Sequence, residues 1–528
     1  MTDLHHDPPG AADDVAGRRI SRAAFLQGGA AAVALAGAAP ALAARAAAPK
    51  PKRGGTLRCG FVGAGTAETL NPFLGITPID QARVQNLYDP LVIVNADLTR
   101  SPGLALEWNH NKTATLYEIK LRPGVEFHNG KTLAAEDVIY SIQQMAKPTS
   151  AALPFVSGIR LRDLKAINKT TVRVPLLFPD ADLAANFTYY NTWIVPKGQT
   201  NYKHPVGTGP FMADSFVPGQ QSVFKRNPHY WVSGKPYVDA LKFTSITDNT
   251  ARLNALLSGQ IDAMAQLPTQ QAKAHAAAGD IQVLAARSPQ AMMFYMDTTK
   301  APFNDNRVRL AIKLIADRQA LIDSALSGYG SVGNDIFGKG LPFYDGALPQ
   351  RHQDIAKAKS LLKAAGKENL TITLQTSEIF PGFVEAATLL AAQARAAGVT
   401  INLKQEPANA YYNPSLLYLK MPFAETQWPI SSLKFFFLQA LASNAPYNET
   451  HWHSKSWNGL LFKAIGEGNK AKAQALWNQV QKIQYDQGGY LNWTNADWVD
   501  GLSNKVKGLR PHPAGELGNC RFMDAWLE

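Results

Sequence analysis

Residues 291–327 read AMMFYMDTTKAPFNDNRVRLAIKLIADRQALIDSALS, and the reading of the fold starts there. Residues 292–296 are bulky and apolar over a short span, which predicts a buried strand. Asp297, Pro302, Asn304 and Asp305 then supply turn chemistry. Asn304 or Asp305 can accept the first free backbone N–H groups of a helix. Val308, Ile312, Ile315, Ile322 and Leu326 follow at roughly helical spacing, and Gly328 suits the position just past the helix end. A strand, a loosely built crossing and a long amphipathic helix predict a chain leaving one lobe for another, with residues 297–304 as the hinge. A strand–loop–helix unit inside one domain gives the same pattern.

At 528 residues the chain exceeds what a single hydrophobic core covers, so two or three domains are expected. A hydrophobic content of 46% with 18% charged residues is ordinary for a globular protein. Ten Trp and 17 Tyr are more telling, because flat rings with polar edges grip small ligands well. The net charge is +12, yet apart from Lys50, Lys52 and Arg53 the basic residues are dispersed. They form no run of the kind that binds nucleic acid, and no nucleic-acid partner is expected.

Arg18, Arg19 and Arg22 precede an Ala/Gly/Val/Leu run over 28–39, and Ala41-Leu42-Ala43 ends it. A charged start, an apolar middle and an A-x-A end predict an export signal over 1–43, followed by a flexible leader over 44–53. The run is too short for a membrane-spanning helix, which needs about 20 apolar residues. Residues 21–27, SRAAFLQ, resemble a twin-arginine export box with Ala23 in the place of its second Arg. No Cys follows the cleavage point, so no lipid anchor is expected there. Cys59 and Cys520 are the two cysteines, and either a disulfide between them or two buried thiols fits their separation.

Residues 56–61 (TLRCGF) and 116–121 (LYEIKL) read as strands, and residues 135 onward as a helix with Val138, Ile139 and Ile142 inward. Residues 370–375 and 400–404 flank a helical stretch at 383–397, a βαβ unit with parallel strands. Residues 470–487 form another helix, with Ala475, Leu476, Val480 and Ile483 on one side.

Tyr88-Asp89-Pro90-Leu91, Pro102, Leu104-Ala105, Trp108, Leu121-Arg122-Pro123-Gly124-Val125, Phe127-His128-Asn129-Gly130 and Ala135-Glu136-Asp137-Val138 occur in that order. Val206-Gly207-Thr208-Gly209-Pro210-Phe211, Arg226-Asn227-Pro228-His229-Tyr230-Trp231 and Gly259-Gln260-Ile261-Asp262-Ala263 follow, then Arg307-Val308-Arg309 and Asp317-Arg318. This succession resembles the family 5 extracellular solute-binding proteins, which serve ABC importers of peptides, nickel and related solutes. The resemblance spans nearly the whole chain beyond the signal. It implies a two-lobed α/β fold of the large, cluster C periplasmic-binding-protein type, with an extra subdomain on the first lobe. The boundaries implied are 54–297 for the first lobe, about 88–205 for the subdomain, 298–495 for the second lobe and 496–528 for the return to the first. It further implies a monomer that captures a small solute, most readily an oligopeptide or peptide-like compound, and delivers it to a membrane permease complex. No cofactor and no catalytic residue are expected.

In the family the second lobe contributes a loop with a Trp to the ligand, which the resemblance places at Trp428. Peptide-binding members carry an Asp three residues later, paired with the ligand's amino terminus; Ser431, followed by Ser432, stands here. A hydroxyl cannot neutralise an ammonium group, so Glu425 is the carboxylate available nearby. Phe61, Tyr295, Tyr447 and Trp452 complete the ligand-contacting side chains expected. His451 and His453 share one face if extended, the start of a nickel or metal-chelate site in the alternative reading.

Three other motifs fail on context. Gly328–Gly333 satisfies G-x-G-x-x-G but follows a helix, where a dinucleotide site needs a strand first. Gly130-Lys131-Thr132 lacks the Gly of a phosphate loop, since Val125 occupies its place. Residues 329–333 miss the nucleophile elbow by their first Gly.

Overall fold

Two mixed sheets carry the chain, and each gathers strands from distant parts of the sequence. The computed structural model describes residues 50–63, 65–412 and 415–528. The export signal expected over 1–43 lies outside the described residues, as does the leader up to residue 49. In the first sheet the order is Ile281–Ala286, Trp498–Ser503, Ala263–Met264, Thr56–Phe61, Ala240–Ser245, Gln221–Arg226 and Phe211–Val217. Thr56–Phe61 runs parallel to both of its neighbours. In the second sheet it is Gly330–Val332, Tyr490–Ala496, Ala291–Met296, Phe423–Trp428, Thr371–Thr376 and Thr400–Gln405. The last two are parallel, with the helix Phe383–Arg395 between them, as the βαβ reading requires. The strand Trp498–Ser503 carries the chain back to the first sheet.

Ala291–Met296 is the centre of the second sheet, antiparallel to Phe423–Trp428 and Tyr490–Ala496, with all six residues buried. The chain therefore changes sheets at residues 287–290 and returns at residue 497, upstream of the hinge expected at 297–304. That later segment is tied into the second lobe: Asp297 N–H donates to the Pro422 carbonyl and Thr298 N–H to that of Thr450, at 2.8 Å each. A strand buried on both faces has no polar side to show which sheet it joins. The long helix expected after it is two helices, Asn306–Ile315 and Arg318–Leu326. Asp305 and Asp317 cap them through their carboxylates, so the second Asp ends one helix by starting the next. On the helix Lys470–Gln487 the buried face is Ala473, Trp477, Val480, Gln481 and Gln484; Ala475 is exposed.

A four-stranded antiparallel sheet, Ala105–His110, Leu116–Leu121, Thr171–Pro175 and Lys165–Asn168, packs with the helix Ala135–Met145. Its inward residues Ile119, Val138 and Val172 share one apolar core with Leu57, Phe61 and Phe243 of the first sheet. Three separated sequence landmarks converge there on Asp89. Its carboxylate accepts from Thr208 Oγ1 at 2.9 Å, Tyr230 OH at 3.1 Å and Trp231 Nε1 at 2.9 Å. Gly207 must be Gly, because a Cβ there would collide with the Leu87 carbonyl. Cys59 and Cys520 are free, buried thiols in this same core.

The second lobe is pinned by a buried ionic cluster. Both Asp335 oxygens accept from Arg318, at 2.9 and 3.0 Å, and Arg351 approaches to 3.0 Å. Asn492 N–H adds a bond at 3.0 Å, while Lys313 donates to the Gly488 carbonyl at 2.8 Å. Burial opposes charge on Asp335, but Arg318 and Arg351 outweigh it and hold the carboxyl below its ordinary range. Asp335→Asn leaves these cations uncompensated in the interior. The expected loss in urea denaturation is about 3–5 kcal/mol, and a loss below about 1 kcal/mol would show that the cluster is not what holds the helices to the sheet.

Candidate ligand cleft between the lobes

A cleft of about 270 Å³ lies where the two lobes meet, and both contribute to its wall. The helix Pro78–Leu87 brings Gln81 and Gln85 from the first lobe, and Tyr189, Tyr190 and Gln266 stand beside them. The C-terminal return adds Trp498, Glu516 and Asn519. From the second lobe come Phe380, Gln427, Pro429, Ile430 and Ser431, while Pro289 and Gln290 of the crossing segment line the same space. Aromatic faces with a few convergent polar groups are the usual make-up of a small-molecule site.

Local structure explains which side chains reach the wall. Along Phe423–Trp428 successive residues face opposite ways, so Gln427 and Trp428 part company. Trp428 shares its side with Thr426, and both meet Glu449: Trp428 Nε1 donates at 3.3 Å and Thr426 Oγ1 at 2.7 Å. Tyr418 and Tyr490 hydroxyls also donate to Glu449, at 2.9 Å each. Burial raises the Glu449 carboxyl above its ordinary value against these four donors. Trp428 is thus half-buried beside the cleft and held from beneath.

Of the other side chains expected at the ligand, Ser431 is on the cleft wall. Ser432 is buried and caps the short helix Leu433–Phe436 through Phe435 N–H at 3.4 Å. Glu425 is buried, accepts from Thr376 Oγ1 at 2.5 Å and is pushed well up by burial. Tyr447 is exposed, its ring 6.0 Å from that of Trp428. Trp452 packs edge-on against Trp457 in the second core, at 5.1 Å between centroids. Phe61 is in the first core against Phe243, and Tyr295 is fully buried in the central strand. His451 lies 3.4 Å from an Asp297 oxygen, and His453 is exposed; neither lines the cleft. Among the described residues no three His, Cys, Asp or Glu side chains are grouped to hold a metal ion. Gln266, Gln290, Trp498 and Glu516 were not legible as wall residues, because each comes from an irregular or terminal position without periodicity.

One side of the cleft is fastened between lobes. Lys434 Nζ donates to both Asp180 oxygens, at 2.8 and 3.0 Å, and to the Asp182 carbonyl at 2.8 Å, with Lys434 and Asp180 buried. Arg100 pairs with the Asp182 carboxylate. The Phe435 ring stacks on Phe155 at 4.2 Å and 8°, and Tyr189 joins the same stack at 4.5 Å from Phe155. Tyr189 is itself a wall residue.

A family model, bacterial extracellular solute-binding proteins, family 5 Middle, matches residues 99–449, more than half of the chain. The chain belongs to that family. The nickel-binding periplasmic protein of Escherichia coli is 26% identical to it over 458 residues, covering 80% of this chain and 86% of its own. The glutathione-binding protein GsiB of Pectobacterium atrosepticum is 25% identical over 462 residues, covering 82% and 86%. Among solved structures, the periplasmic binding protein DppA from Helicobacter pylori, in complex with the peptide STSA, has a TM-score of 0.75 at 23% identity and covers 90% of this chain and 99% of that one. The family 5 protein thus has the two-lobed α/β fold expected, and no helix among its described residues is long and apolar enough to cross a membrane.

Lys434→Met tests the fastening. It leaves the Asp180 carboxylate buried without its cation, for an expected loss of about 3 kcal/mol in denaturation and a larger radius of gyration in solution scattering. Combining it with Asp180→Asn should recover part of the loss. A single variant within about 0.5 kcal/mol of the parent, with an unchanged radius, would show that the pair does not join the lobes.

Proposed function

We propose that this protein is an exported receptor that encloses one small solute between its lobes and hands it to an ABC permease. The single observation that carries the reading is the cleft, whose wall is shared by both lobes and by the segment where the chain changes sheets. A ligand touching both walls favours the closed form by its differential affinity for it, and a few kcal/mol suffices. The crossing segments at 287–290 and 497 are the hinge in this reading, in place of 297–304. An oligopeptide or peptide-like compound is the solute proposed, in keeping with the peptide held by the similarly folded DppA. Ser431, Gln427 and Gln266 would meet it, with Trp428 supporting the wall from behind.

In this reading the segment 1–43 is an export signal cleaved after Ala43, and the receptor works in the cell envelope as a monomer. It releases its ligand unchanged and acts on no substrate chemically. The alternative, a nickel or nickel-chelate receptor, draws on the nickel-binding relative and on His451 and His453.

Native mass spectrometry of the protein exported by its own host, purified without refolding, tests these points together. The expected spectrum shows a chain beginning at Ala44 with one equivalent of a peptide-sized organic mass, released intact on denaturation. A bound nickel ion or chelate would transfer the reading to the alternative. Conversion of the bound compound during incubation would contradict a receptor without enzymatic activity.

A further inference from the structure

The charge of the cleft wall is one-sided. Among the described residues that line it, Glu516 is the sole carboxylic acid and there is no Arg, Lys or His. Glu516 is buried, and one of its oxygens accepts from Gln266 Nε2 at 2.5 Å. Two further acceptors point the same way: Gln85 Oε1 and Gln290 Oε1 are buried without a hydrogen-bond partner, and both residues line the cleft. An unpartnered buried acceptor costs about 1–3 kcal/mol, a cost that a donor on the ligand removes. The wall therefore lacks donors from its ligand and offers no cation to a ligand's carboxylate. We infer that the cleft takes a ligand that presents an ammonium group to Glu516 and carries no free carboxylate, a peptide amide or a comparable amine whose carboxyl group is blocked.

This rests on the receptor reading above and narrows it. The groups facing Glu516 are Asp500, Arg252 and Cys520. Arg252 is engaged by the Ala265 and Ile246 carbonyls, at 3.1 and 2.6 Å, and Asp500 by the Leu517 and Gln266 N–H groups. An incoming ammonium group would thus face a carboxyl that Arg252 attracts only from a distance, with no direct ion pair to Glu516 among the described residues. Burial pushes Glu516 up to about 7, so its charged form has to be recovered on binding the cation.

The test uses the full exported chain and three random tripeptide pools: free acids, C-terminal amides, and amides that are also N-acetylated. Capture is read by native mass spectrometry. The amide pool should be captured at least tenfold better than either other pool, and Glu516→Gln should remove that preference. With the parent protein, capture of amides should rise about fivefold between pH 6 and pH 7, because ionisation of Glu516 limits it there. This profile does not depend on how well the variant folds. Equal or better capture of free acids, or a preference unchanged in Glu516→Gln, overturns the inference and leaves the receptor reading standing. Capture of none of the three pools removes the peptide-like reading together with the inference.

Discussion

The structure depends on two short crossings that lie side by side. The chain leaves the first sheet after Ala286 and returns to it at Trp498, and the two passages are bonded to each other. Ala496 N–H donates to the Gln290 carbonyl at 2.8 Å, and Ser288 Oγ donates to the Ala496 carbonyl at 2.7 Å. Arg287 lies 3.5 Å from Asp497 and also donates to the Gly330 carbonyl of the second sheet. In the receptor reading, paired crossings of this kind would confine relative motion of the lobes to a few residues, with the cleft beside them. Pro289 and Gln290 are crossing and wall at once. A contact made there acts where the chain itself passes between the lobes.

Farther from the crossings the lobes are held by side chains and by one backbone bond, Ala181 N–H to the Ile465 carbonyl at 3.0 Å. Ser432, Lys434 and Phe435 sit on one turn: the first caps it, the second enters the Asp180 pair and the third enters the aromatic stack. That turn begins directly after Ser431 on the wall. Occupancy of the cleft and engagement of the lobes are therefore separated by about three residues of backbone, with no intervening loop to absorb a shift. In the receptor reading this short linkage is how a bound solute would be reported on the outer surface.

Much of this was legible in the sequence. Residues 56–61, 116–121 and 400–404 alternate or run apolar over strand lengths between turn signals, and each falls in a strand. The ordered landmarks carried the family and the two lobes, and Asp89 shows why such distant residues travel together. The sheet joined by residues 291–296 was hidden because every side chain there is buried, leaving no polar face to orient it. Ser431 was readable from its place after Trp428. Trp428 itself faces Glu449, since one residue along a strand reverses direction. Glu516 gave no signal at all: it lies in an irregular segment where Leu517, Gly518, Asn519 and Cys520 all take positive φ, and only the tertiary fold brings it to Gln266.

Capture between the lobes is tested most directly by a crystal structure of the protein taken from its host with the solute it carries. The expected density lies between Gln427 and Ser431 on one side and Gln266 and Glu516 on the other, touching both lobes. Density confined to a single lobe, such as the small cavity beside Asp89 and Arg521, would contradict capture between lobes and would require another account of what the cleft is for.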